Sequence, residues 1–88
     1  MFKKSEWNVV IEKIHSGEIN EQGNYKINYS FGGEKGKEDV MFLDVGYILA
    51  ADFYFLYSED DKCDIRNGNR TVTFLDKLED NWYYISIE

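Results

Sequence analysis

The chain predicts a small α+β domain, an N-terminal helix packed on a twisted, mainly antiparallel sheet of about five or six strands, with closure into a barrel as the variant arrangement. Three observations lead there. One stretch near the start has helical periodicity. Nearly everything after it alternates or is rich in β-branched and aromatic residues, and polar Gly, Asn and Asp clusters cut it into strand-length pieces. At 88 residues the chain is sized for one domain, spanning 1–88.

The helix is expected over about residues 4–15. Trp7, Val10, Ile11 and Ile14 fall at i, i+3, i+4 and i+7 on one face, with Glu6, Glu12 and Lys13 on the other. Ser5 is the candidate N-cap, although Asn8 stands where a capping box wants Glu or Gln, and Gly17 can end the helix without a Cβ penalty. A helix this short depends on tertiary packing, so it is read as a cover for the sheet, with docking to a partner as the alternative.

A turn at Glu21-Gln22-Gly23-Asn24 precedes a clean alternation, with Tyr25, Ile27, Tyr29 and Phe31 facing one way and Lys26, Asn28 and Ser30 the other. The glycine-rich loop at 32–38 follows. It fails as a phosphate cradle: a P-loop needs four residues between its glycines and a hydroxyl after the Lys, whereas three separate Gly32 from Gly36 and Glu38 takes the hydroxyl position.

The densest apolar run is Val40 to Tyr57. Asp44 and Asp52 interrupt it, which argues against a membrane span. It exceeds the usual strand length of about 3–10 residues, so a break is expected at Asp44 to Gly46, giving strands at about 39–45 and 47–57. A helix capped by Asp44 and running through Ala50 and Ala51 is the competing reading.

Glu59, Asp60, Asp61 and Asp64 then place four acids in six residues. EF-hand spacing would put Gly68 at loop position six and Cys63 and Ile65 at positions one and three, neither a ligand for a hard cation, so a calcium loop is rejected. Asn67-Gly68, between 62–66 and 69–75, carries the strongest hairpin signal, and a turn at 77–81 leads into a closing strand from Trp82 to Ile87.

Charge is unevenly spread. Residues 1–37 carry six Lys against five Glu and residues 38–88 four Lys or Arg against twelve acids, +1 and −8 toward the net −7. Such a field repels nucleic acid and anionic membranes and steers the protein toward basic surfaces. Fifteen aromatic side chains, 17% of the chain, exceed what so small a core holds, so some are expected at an interface. One cysteine, Cys63, excludes an internal disulfide and, with no apolar stretch after MFKKSEW, points to the cytoplasm.

No catalytic, metal or cofactor signature is present. His15 and Cys63 are single, Cys63 sits among acids that suppress its thiolate, and no helical pair has metal-ligand spacing. The chain is read as no enzyme.

Ala51, Phe53 and Phe55, the acids 59–61, Cys63 and Ile65, Asn67-Gly68, and Thr73-Phe74-Leu75 through Trp82-Tyr83 resemble the first part of an SH3-like barrel. The resemblance implies peptide contacts at Phe53, Phe55, Trp82 and residues 59–61. The family's Pro-containing turn has no counterpart, since the chain has no proline, and closure would come from the N-terminal strands. In size and charge the chain also resembles small phage-encoded inhibitors of host nucleases or defence systems. The leading expectation is therefore a non-catalytic acidic binder that blocks a basic, nucleic-acid-binding partner such as a nuclease, as a nucleic-acid mimic or immunity protein does. Glu59, Asp60, Asp61, Asp64, Asp76, Glu79 and Asp80 would supply charge, with Trp82, Tyr83 and Tyr84 as anchors. An SH3-like peptide module and a small-molecule sequestering protein are the alternatives. A long apolar strand at a sheet edge would also favour a homodimer.

Overall fold

The computed structural model describes residues 2–21, 23, 27–33, 36–61 and 70–88. Helix α1 spans Lys4–His15, and five strands follow: β1 Tyr29–Gly32, β2 Asp39–Ile48, β3 Ala51–Ser58, β4 Val72–Glu79 and β5 Trp82–Ile87. They form one sheet in the order β1-β2-β3-β5-β4, and every neighbouring pair is antiparallel. The sheet is open. Among the described residues β1 and β4 are its two edges, so the barrel variant is corrected: β5 is inserted between β3 and β4, and β1 and β4 do not pair.

The helix forms where its periodicity places it, and Trp7, Val10, Ile11 and Ile14 are its buried residues. They share a cluster with Tyr29, Val40, Phe42, Phe55 and Trp82. Trp7 stacks on Phe42 with centroids 4.7 Å apart, and Phe2 closes over Phe55 and Trp82 at 5.6 and 5.1 Å. Gly17 ends the helix in the left-handed region at φ 82°, with Ile19 N–H donating back to the Lys13 carbonyl. The start differs from expectation. Lys3 occupies the N-cap position without a side-chain cap, and Ser5 lies inside the first turn.

The opposite side of the sheet carries Leu56, Tyr83, Ile85 and Ile87, also buried, with Met41, Tyr54 and Val72 against them. Strands β3 and β5 therefore bury both faces, which is why Trp82 to Ile87 is apolar on each side and the central run reads as continuous rather than alternating.

The break in that run lies further along than 44–46. Strand β2 continues to Ile48, and the turn is Leu49-Ala50, both left-handed at φ 52° and 66°. Two positive-φ residues between strands give the turn geometry that matches sheet twist, at about 1–2 kcal/mol for each side chain forced there. Asp44 to Gly46 is instead an irregularity inside β2, where the register with β3 shifts between Leu43 and Val45 and again before Ile48. A bulge absorbs the extra residues without ending the strand. The competing helix does not form.

The second turn is also tighter than 77–81: β4 runs to Glu79, and Asp80-Asn81 alone connect it to β5. The Asn67-Gly68 hairpin, Cys63, Asp64, Gln22 and Asn24 of the first turn, and Tyr25 and Lys26 of the alternating strand lie outside the described residues. Among the described residues no helix is long and apolar enough to cross a membrane.

Candidate functional site

Three separate pieces of chain meet at one end of the sheet. Pairing of Asp39 with Ser58 and of Tyr57 with Trp82 puts the start of β2, the end of β3 and the β4–β5 turn side by side. The Ser58 N–H donates to the Asn81 carbonyl at 2.8 Å, and Asn81 Nδ2 donates to the carbonyls of Ser58 and Glu59 at 2.8 and 3.1 Å. The Glu59 N–H donates to the Glu38 carbonyl at 2.9 Å. Asn81 can do this because it sits left-handed at φ 71°, a conformation Asn tolerates.

The turns carry acids. Glu38 and Asp39 enter from β2, Glu59, Asp60 and Asp61 follow β3, and Glu79 and Asp80 stand at the β4–β5 turn. Several are held by neighbours. Asp61 accepts from the Tyr83 hydroxyl, from Lys77 Nζ at 3.1 Å and from the Asn81 N–H at 3.1 Å. The Tyr83 hydrogen bond foremost, then the Lys77 bond, keeps its carboxyl below the usual carboxylate range. Glu59 accepts from the Tyr57 hydroxyl at 2.5 Å and pairs with His15 Nε2 at 3.0 Å, while burial first and the Glu59 bond second push the Tyr57 phenol up. Asp60 accepts from Ser58 Oγ at 3.2 Å, and Glu79 pairs with Lys4 at 2.7 Å.

The expected site residues thus divide. Glu59, Asp60, Asp61, Glu79 and Asp80 converge. Asp76 lies further back, opposite Tyr84 in the ladder, and Asp64 is outside the described residues. Asp76 and Asp80 are exposed and, among the described residues, make no ion pair. The aromatics do not form an exposed anchor there: Trp82 is 1% and Tyr83 9% exposed, and Tyr83 reaches the acids only through its hydroxyl. Tyr84 is half-buried and donates to Asp44 Oδ2 at 2.7 Å, its phenol pushed up to about 12 by burial and then by Asp44. Of the residues singled out by the SH3 resemblance, Phe55 and Trp82 belong to the cluster under α1, and Phe53 stacks on Tyr84 at 6.2 Å.

Glu38 and Asp39 were not among the expected site residues. They adjoin a glycine-rich loop in sequence, and only the β2–β3 register carries them to Ser58; pairing the two halves of the apolar run about their true turn is the signal that would have found them. Elsewhere, a concavity of about 310 Å³ between the start of α1 and β2 is lined by Lys3, Glu6 and Asp44 above Trp7 and Phe42. Among the described residues no group of His, Cys, Asp and Glu side chains is arranged to hold a metal ion. No known protein family, curated protein or solved structure matches the chain.

Proposed function

We propose that this chain is a non-catalytic binding protein that sets the acidic end of its sheet, with α1 docked behind it, against a basic, nucleic-acid-binding protein and blocks that surface as a nucleic-acid mimic does. The observation that carries the reading is the rigid convergence of acids from β2, the turn after β3 and the β4–β5 turn. Their backbones are cross-linked, the turn after β3 to the β4–β5 turn through Asn81 and to Glu38 through the Glu59 N–H, so the negative field is presented on paired backbone. Ion pairs with Lys4 and Lys77 compensate part of that field, which leaves Asp80 as the first carboxylate to test, together with Asp60, which accepts from Ser58 Oγ beside it.

The test uses Asp60→Lys with Asp80→Lys and keeps Asp61, whose contacts hold the turn. The immobilised wild-type chain retains a nucleic-acid-binding protein from host lysate at low ionic strength and releases it as salt rises. The double reversal weakens that complex by roughly an order of magnitude or more, and the wild-type chain displaces nucleic acid from the captured protein. Unchanged affinity of the double variant, or capture without displacement, sinks the reading.

A further inference from the structure

Strand β4 is an edge strand of eight residues, against four for β1 at the other edge, and Thr73 to Lys77 are all exposed along it. Its backbone shows which groups are left over. Thr71 and Glu88 exchange both of their hydrogen bonds, at 3.1 and 2.9 Å, and the register continues as Val72 with Ile87, Thr73 with Ser86 and Phe74 with Ile85. Because bonded and non-bonded pairs alternate in an antiparallel ladder, the N–H and C=O groups of Val72 and Phe74 turn away from β5. No described residue bonds to them. Beside them Phe74 is 44% and Leu75 49% exposed, lining a shallow depression of about 400 Å³ with Asp76, Lys77 and Tyr83.

We propose that this edge takes a short, extended, basic segment of a protein partner as an added strand, pairing with Val72 and Phe74 and laying apolar side chains on Phe74 and Leu75. Charge decides the occupant. Lys77 is tied to Asp61 at 3.1 Å and lies over the Tyr83 ring, so the charges left along the strand and its turn are Asp76 and Asp80. A second copy would bring the same carboxylates and a further −7 to the interface, where facing like charges destabilise pairing. The register shift between Phe74 and Asp76 also ends the regular edge after Phe74, which suits a short segment better than another eight-residue strand. For the sign of the partner's charge, and only for that, the inference rests on the function proposed above.

The probe is a synthetic peptide alternating Val with Lys and Arg, with a twin of equal charge N-methylated at alternate amides. The plain peptide should bind and slow hydrogen exchange at the Val72 and Phe74 amides, and the methylated twin should bind at least about tenfold more weakly, having lost its donors. Phe74→Pro deletes an outward N–H without removing a bond to β5 and should cost about as much. Equal binding of the two peptides overturns strand addition and leaves the acidic reading standing; failure of the plain peptide to bind overturns the proposal. A peptide with Glu in place of Lys and Arg that protects the same amides equally well overturns the basic occupant and the reading behind it. A concentration-dependent dimer that Phe74→Pro dissolves would make the occupant a second copy, which also overturns it.

Discussion

Asp61 shows how much one side chain can fasten. It sits left-handed at φ 56° after β3, and its carboxylate draws in a phenol, an ammonium and a backbone N–H from β5, β4 and the turn between them. All three contacts favour the ionised form, so its folded pKa lies below the unfolded one. Its contribution is accordingly present above an unfolded value of 3.8 and lost as pH falls through the folded value. In Tyr83→Phe the largest cause is gone. The Asp61 carboxyl titration followed by NMR should move up toward 3.8; a midpoint unchanged by the substitution would remove Tyr83 from the network.

At the scale of elements, α1 is held by its buried face and left unfinished at its start. Lys3 at the N-cap offers no oxygen to the first-turn N–H groups, and its positive charge meets the positive end of the helix dipole. Lys3→Asp supplies the acceptor and reverses the charge, and should raise stability in urea by about 1 kcal/mol. No gain would mean that a neighbouring group already serves those N–H groups. The two halves of the apolar run are a different case. Neither β2 nor β3 is an edge, each being paired on both sides, so the two edges are the short β1 and the longer β4 with its exposed Phe74 and Leu75.

For the whole molecule, tyrosines tie the sheet together. Burial foremost raises Tyr54, Tyr57 and Tyr84, with Asp52, Glu59 and Asp44 respectively adding to it, and Tyr84 reaches about 12. Folded values above the unfolded 10.0 make this a contribution present in full below pH 10.0 and lost as pH climbs toward about 12. Stability should hold up to about pH 10 and then fall, with tyrosinate absorbance from these residues rising together with loss of near-ultraviolet circular dichroism. Titration of Tyr54, Tyr57 and Tyr84 near 10 in the folded protein would show that these phenols are not protected.

What residues dictate locally was legible in the chain. The spacing of Trp7, Val10, Ile11 and Ile14 set α1 with its bounds, Gly17 its end, and aromatic and β-branched content the strands, because each depends on neighbours a few positions away. Register and strand order were not legible. The shift of the central turn from Asp44–Gly46 to Leu49-Ala50 depends on how β2 bulges against β3, and the insertion of β5 between β3 and β4 depends on burying both faces of Trp82 to Ile87 at once. Those long-range choices carried Glu38 and Asp39 to the acidic end, took Trp82 and Tyr83 into the interior and left β4 open. Sequence determined which segments could fold and where charge was abundant; tertiary structure decided which acids share a surface, since pairing across the sheet sums interactions that no local window contains.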